Sequence, residues 1–352
     1  MTTNSVALQN AASDSAEQSA PPEELLARHA PTIPTEEVPL CPVCGAGDYQ
    51  TFARGFDYEL LTCANSWRFV RCEACEHVWL NPRPAISTLP LIYPPTYYAY
   101  DYEQKINPIA VRGKQLLDKF KVRGILRHLL ASPRRYLDIG CGSGRFLKAL
   151  EAKGLARDHL YGLELDKACA NRLSAEGYQV SSERVEEAQH IPAGHLDLVT
   201  MFHVIEHVDD PATVARKVAE WLAPGGVFAV ETPNRDSYDA RRFKDGLWGG
   251  YHIPRHWHIF TPESLTRLLE SAGLEVISMQ YQPGHSFWMY SIHHALRYGS
   301  PAHRRMARWF DPFQGFLPFL VLFTCWDKLR AILGYRTSAM LVLARKPIAE
   351  AS

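Results

Sequence analysis

Net charge is absent: the 352 residues carry 38 Lys and Arg against 38 Asp and Glu. Without a basic excess, and without a basic stretch interleaved with aromatics around its cysteines, the chain lacks the electrostatic footprint of a nucleic-acid binder. The first thirty residues contain no basic segment leading into an apolar run, so no secretory signal is read and a cytoplasmic location is expected. The uncharged run from Pro312 to Trp326 stops at fifteen residues and contains Pro318, short of the roughly 20 that a membrane-spanning helix requires. Large apolar residues are scarce over residues 1–35, where Ala, Ser, Gln, Glu and Pro dominate. Such a segment cannot offset its own ordering entropy, and a disordered tail is expected there. No internal repeat is present.

What the chain does contain is cysteine in a pattern. Eight occur, at 41, 44, 63, 72, 75, 141, 169 and 325. In a reducing compartment a paired CxxC spacing reads as a metal site sooner than as a disulfide. Cys41-Pro42-Val43-Cys44-Gly45 and Cys72-Glu73-Ala74-Cys75 supply two such pairs, enough to wrap one tetrahedral ion, with Gly45 suited to the tight turn of a knuckle. Four thiolates close the coordination sphere, so a structural zinc on Cys41, Cys44, Cys72 and Cys75 is expected in a module over residues 36–85. Cys63 lies outside both pairs and is a competing ligand. Residues 86–134, opening with a Pro- and Tyr-rich passage, read as a connector with helices.

From about Arg135 the pattern changes to short apolar runs separated by helical segments. The runs RYLDIG, HLYGLEL, YQVSS, LDLVTMFHV, GGVFAVETP, LEVISMQY and SAMLVLARK alternate with segments such as DKACANRLSAEG and PESLTRLLESAG. That alternation argues an α/β fold with a parallel sheet covered on both faces. Asp210 and Pro211 mark one helix start, as a cap followed by a first helical residue.

Leu137-Asp138-Ile139-Gly140-Cys141-Gly142-Ser143-Gly144-Arg145-Phe146 reads as a strand, a glycine-rich turn and a helix start. The glycines let the backbone approach a ligand, and the helix start offers unpaired N–H groups. A dinucleotide fingerprint would need a third glycine where Arg145 stands, which disfavours nicotinamide or flavin. Glu164 ends the next strand, where a carboxylate can accept both ribose hydroxyls. Together these features point to a nucleoside-bearing cofactor.

Five motifs in order, LDIGCGSGRF, YGLELD, LDLVTMFHVIEHVDDP, WLAPGGVFAVETPN and HWHIFTPESLTRLLESAGLEVI, resemble the class I S-adenosylmethionine (SAM) dependent methyltransferases. Within them the chain is similar to the bacterial group that includes ubiquinone-pathway O-methyltransferases. The resemblance covers roughly residues 135–345 and implies a Rossmann-like sheet of seven strands with helices on both faces. It implies that Asp138 orders the glycine loop, that Gly140, Gly142 and Gly144 lie against the methionine part, and that Glu164 holds the ribose. It places the adenine near Val185, Glu186 and Glu187, and Phe202 with His203 on the sulfonium side. RCEACEHVWLNPRP resembles zinc modules that precede SAM methyltransferase domains, including those of sugar C-methyltransferases, whose additional carboxy-terminal domain the resemblance does not reach.

A sulfonium already makes its methyl group electrophilic, so such a protein need only align a nucleophile and remove its proton. The candidates are His203 with His207, His252, and His256 with His258. His256 and His258 lie two apart, so in an extended segment they would face one side, and either is a candidate base; His207 reads as a capping or packing residue. The ubiquinone-pathway relatives carry Glu-x-x-Glu-His-Val, proposed to hold a divalent ion; the matching residues here are His203, Glu206 and His207.

The segment 285–336 separates the last two apolar runs and reads as a helical insertion before a last strand and tail at 337–352. It is aromatic, and Arg297, Arg304, Arg305, Arg308, Lys328, Arg330 and Arg336 outnumber Asp311 and Asp327. It is expected to lie on a membrane surface or to form a lid or dimer face. The expected activity is methyl transfer from SAM to a small or lipid-like acceptor, at oxygen. The alternatives are C-methylation of a sugar or other carbon nucleophile, and a non-catalytic SAM-fold binding module.

Overall fold

The computed structural model describes residues 30–94, 108–298, 303–311 and 316–348. The expected tail over 1–35 lies mostly outside the described residues, as does part of the connector.

The amino-terminal part holds two small sheets. β1 (Thr35–Glu36) pairs antiparallel with β5 (Arg83–Pro84), while β2 (Tyr49–Gly55), β3 (Trp67–Cys72) and β4 (Val78–Leu80) form an antiparallel meander that α1 (Leu89–Ile92) follows. The meander is completed from far along the chain: β11 (His258–Ile259) pairs with β4, His258 opposite Trp79. Its apolar side chains are shared in the same way. Trp67, Phe69 and Leu80 pack with Trp248, Tyr251 and Trp257, and Val70 and Trp79 join the core beneath the main sheet. The segment expected as a separate module at 36–85 is thus part of one packed body with the residues after 240.

α2 (Pro108–Leu126) leads into the main sheet, whose seven strands are β6 (Tyr136–Ile139), β7 (Leu160–Leu163), β8 (Gln179–Ser181), β9 (Leu196–Phe202), β10 (Leu222–Pro233), β12 (Glu275–Gln282) and β13 (Ala339–Arg345). Their order is β12-β13-β10-β9-β6-β7-β8. Successive residues of a strand point to opposite faces, and here they feed two cores. Leu137, Val199, Phe228 and Val342 lie in one; Tyr136, Leu198, Val227 and Leu343 lie in the other. The second face is covered by α2, α3 (Arg145–Glu151) and α4 (Lys167–Ala175), through Val122, Phe146, Leu147 and Leu173. The first is covered by α5 (Pro211–Trp221), through Val214 and Val218, and, beyond the short α6 (Tyr238–Arg242), by α7 (Pro262–Ser271), through Leu265 and Leu268. Asp210 caps α5 as expected, accepting from Ala212 N and Thr213 N at 3.0 Å.

The sheet is not wholly parallel, as the sequence pattern suggested, because β13 runs antiparallel to both β10 and β12. The insertion spans the reversed connection. It leaves and re-enters at one end of the sheet, with Gln282 opposite Ala339 and Thr337 Oγ1 donating to Gln282 O at 2.8 Å, so the chain can only return downward. The insertion itself folds as α8 (His285–Tyr298), the short α9 (Arg304–Ala307) and α10 (Leu317–Ile332). Asp327 of α10 is fully buried and ties these pieces to the sheet, accepting from Gly284 N, Trp288 Nε1 and Ser338 Oγ at 3.0–3.2 Å.

Candidate active site

The glycine loop leaves the end of β6. Side chains at Gly140 and Gly144 would strike Val204 and Leu173, whereas nothing lies within 4 Å of a Cβ placed on Gly142. Gly142, at φ 51°, therefore turns its backbone toward open space in a conformation that favours glycine. Its N–H donates to Glu164 Oε2 at 2.7 Å, and Asp166 N donates to Glu164 Oε1 at 2.9 Å. Burial lifts the Glu164 carboxyl above its usual range, against the pull of these two donors. Below the loop, buried Asp138 accepts from Thr200 Oγ1 at 2.7 Å, and its second oxygen has no hydrogen-bond partner. Burial pushes this carboxyl up to about 7. A buried carboxylate oxygen without a donor costs stability unless something binds it, and the ammonium of a methionine moiety suits it.

His203 lies just past β9 in a left-handed backbone conformation (φ 55°), with 42% of its side chain exposed. Its two ring nitrogens face two buried acids: Nδ1 lies 3.3 Å from Glu206 Oε1, and Nε2 lies 3.3 Å from Glu231 Oε1. Desolvation acts to lower its pKa, but the two carboxylates outweigh it and raise the ring to about 9. The partly open ring tempers this effect through solvent screening. Glu231, at the end of β10, is also paired with Lys121 of α2. Burial would raise the Glu231 carboxyl, but Lys121 and then His203 hold it down at about 2. Neither Lys121 nor Glu231 was singled out from the sequence; for Glu231 the visible signal is a lone acid ending the apolar run GGVFAVE.

The other histidines divide into two groups. Arg255 N and His256 N both donate to His252 O, so residues 252–256 form a turn and the period-two argument for His256 and His258 fails. His258 sits in β11 with its ring against His77 of the amino-terminal sheet (3.3 Å), its Nε2–H donating to Val208 O. It is buried, held at about 3 chiefly by desolvation, and far from the role of base expected for it. His256 instead packs on His207 and His252, with ring centroids 4.6 and 5.0 Å away. His256 Nδ1–H donates to Gly250 O and His207 Nδ1–H to Arg255 O, which leaves both Nε2 atoms without protons. Burial keeps His256 well below its ordinary pKa and His207 at about 4. One ligand atom each from Glu206, His207 and His256 falls within 4.8 Å of the others. The set brought together thus has His256 where the sequence suggested His203, although His203 also touches Glu206.

The amino-terminal part contributes to this region directly. The loop after β2 sends buried Asp57 into a bidentate pair with buried Arg255, at 2.9 and 3.1 Å, and Glu59 to His252 Nδ1 at 2.6 Å. Asp57 also accepts from Leu60 N, Thr62 N and Thr62 Oγ1, so its lone pairs are filled. Tyr93, beyond α1, places its hydroxyl 3.0 Å from His207 Nδ1.

Two remaining expectations meet a different geometry. Glu186 does not open onto a binding face: its Oε1 accepts from Asp209 N at 2.7 Å and Arg184 Nη2 at 3.0 Å, bracing the loop that follows β9. Phe202 turns to the α2–α3 side of the sheet, edge-on to Phe146 at 4.8 Å and under Lys121, rather than lying with His203.

Cys41, Cys44, Cys72 and Cys75 converge, with all four sulfurs within 4.8 Å of one another. Cys41 to Cys75 is 3.5 Å and Cys44 to Cys72 is 3.6 Å, too long for disulfides. These distances are near the roughly 3.8 Å between ligands of a tetrahedral ion bound at about 2.3 Å. Both turns share one design. Gly45 N donates to Cys41 O and Glu76 N to Cys72 O, and Gly45 and Glu76 both take positive φ. Cys63 belongs to another core, with Trp67 and Phe69, and does not reach the cluster.

A seven-stranded sheet with one reversed strand, a glycine turn after its first strand and a carboxylate at the end of its second define a Rossmann-like domain suited to SAM. A family model described as a methyltransferase domain matches residues 113–279. Ubiquinone biosynthesis O-methyltransferases are among the similar proteins. That of Marinobacter nauticus is 30% identical over 169 residues, 43% of this chain and 68% of its own length. That of Aromatoleum aromaticum is 32% identical, over 43% of this chain and 69% of its own. A solved SAM dependent methyltransferase from Archaeoglobus fulgidus is 20% identical, with a TM-score of 0.45 over 71% of this chain and 100% of that one. The chain belongs to the class I SAM-dependent methyltransferases, and it is an enzyme of that class.

Proposed function

We propose that this enzyme methylates an oxygen of a small or lipid-like acceptor bound beside His203. The observation that carries this reading is the placement of His203: a partly exposed ring held by two buried acids, next to Val204, which packs on Gly140 of the glycine loop. The relatives named for O-methylation support the choice of oxygen over carbon. SAM, when bound, supplies a methyl group made electrophilic by its sulfonium. Asp138 would take its ammonium, the Gly140–Gly144 turn would lie along its methionine part, and Glu164 would accept from its ribose. Glu206 and Glu231 fix the His203 ring, and an acceptor hydroxyl reaching the exposed ring gives its proton to the nitrogen left unprotonated when the ring is neutral, the other nitrogen keeping its N–H on a carboxylate. Because the ring is raised to about 9, the neutral form grows as pH rises above 7. Release of S-adenosylhomocysteine in the presence of phenolic or enolic acceptors tests the reading. His203→Gln should lower turnover by about 10²–10⁴-fold while keeping S-adenosylhomocysteine affinity. Full turnover in that variant would exclude His203 as the base.

A second reading rests on Glu206, His207 and His256. Both histidines spend Nδ1–H on backbone carbonyls, as metal-ligating histidines do, and Glu206 Oε1 makes no regular hydrogen bond. A divalent ion held there would polarise an acceptor oxygen. Under this reading chelation abolishes turnover and His256→Ala prevents its rescue by zinc or manganese; under the first, chelation changes nothing. For the cysteine cluster we propose a structural zinc, closed by four thiolates and without an open position for chemistry.

A further inference from the structure

α10 is turned inside out for a helix in water. Its inward face carries Asp327, fully buried, and Arg330, whose Nη1 lies 3.2 Å from Asp327 Oδ1. Its outward face carries Val321, Leu322, Trp326, Leu329 and Ile332, 48–81% exposed. A surface helix ordinarily shows the opposite arrangement, with its charges outward. The spacing of these residues, at three and four, sets them in one stripe along a helix of 16 residues, about 24 Å long. Trp309 and Phe316, both about half exposed, extend the stripe past the helix start, joined by a bond from Phe316 N to Trp309 O. No helix among the described residues is long and apolar enough to cross a membrane.

The charge around the stripe is of one sign. Arg305 and Arg308 are exposed within one turn of Trp309, and Lys328 is exposed on α10 itself. Of the acids in the insertion, Asp327 is buried and Asp311 half-buried. Arg336 is already engaged by Asp236 and Glu263. The chain as a whole is neutral, so this basic excess is local.

We propose that the outer face of α10, together with Arg305 and Arg308, rests on a bilayer surface that contains anionic lipid. A convex apolar stripe flanked by tryptophan and cations matches the acyl and headgroup layers of such a surface. A second copy of the chain fits less well, because a two-fold contact would oppose Lys328 and the arginines to their own like charges. The stripe lies one helix away from His203. Trp288 of α8 stacks on Phe323 of α10 at 5.5 Å, and Phe287 of α8 stands 6.2 Å from His203. The inference goes beyond the proposed chemistry and does not require a lipid acceptor.

Full-length protein is to be sedimented with vesicles of phosphatidylcholine alone and with about 30 mol% phosphatidylglycerol, at low salt and about 0.5 M salt. Binding is expected on the anionic vesicles at low salt only. It should fall at least tenfold in Arg305→Glu/Arg308→Glu and in Leu322→Glu/Ile332→Glu, while S-adenosylhomocysteine affinity and circular dichroism stay unchanged in both. Wild-type protein left in the supernatant at low salt, or equal binding by either variant, overturns the proposal. So does a vesicle-free dimer that Leu322→Glu/Ile332→Glu dissociates, which would make a second copy the occupant.

Discussion

Replacing Glu164 disturbs a carboxylate that tethers the glycine loop and that, in the proposed reading, also accepts from the ribose, and the two contributions separate. A carboxylate has about four lone-pair sites. Gly142 N–H and Asp166 N–H take two of them, at 2.7 and 2.9 Å, which leaves about two for adjacent ribose hydroxyls. Hydrogen bonds to a charged acceptor are worth about 1.5–3 kcal/mol each. Losing the two ribose bonds should then cost about 3–6 kcal/mol, a hundredfold or more in Kd at about 1.4 kcal/mol per tenfold. Glu164→Ala should show the full loss, and it also frees the glycine turn from its tether. Glu164→Gln keeps the shape and one acceptor oxygen but presents an NH₂ group to a backbone donor or to the ribose, so an intermediate loss of about tenfold is expected. Calorimetry with S-adenosylhomocysteine measures both, and thermal unfolding of the unliganded proteins shows whether the loop change spreads to the fold. A Kd for Glu164→Ala within twofold of wild type would refute the assignment of the ribose to this residue.

The remaining predictions concern the pocket and the cysteines. With His203 raised to about 9, kcat/KM should climb from pH 7 to about pH 9 and then level. Glu231→Gln removes one of the two acids that raise the ring, so the limb should move down by about one pH unit; an unmoved limb in that variant would show that another group titrates. Protein purified without chelator should carry one zinc per chain. Cys41→Ser or Cys75→Ser should lose it and unfold about 10 °C or more lower in a single transition, because these residues share a core with the main sheet. Two separate transitions would mean that the amino-terminal part folds on its own.

The parts legible in the sequence are those in which local pattern and function coincide. Seven apolar runs of strand length became the seven strands, because burial on both faces demands such runs wherever the chain crosses a sheet. The glycine turn and Glu164 were visible because a sharp turn after a strand calls for glycine and an acid at the next strand end stands out. The four cysteines were visible because two CxxC pairs are a local spacing, and the structure brings their sulfurs together.

The histidines were not legible in this way. His256 and His258 look equivalent two residues apart, yet the turn at 252–256 sends one to His207 and the other to His77. The sequence by itself determined the fold class, the glycine turn and the paired CxxC thiols, all written as patterns of residues near in the chain. Only the tertiary structure decided that β11 would complete the amino-terminal sheet, that Glu231 and Lys121 would join His203, and that α10 would turn Asp327 and Arg330 inward. Those outcomes depend on which distant segments share one buried volume, and no local spacing encodes that choice.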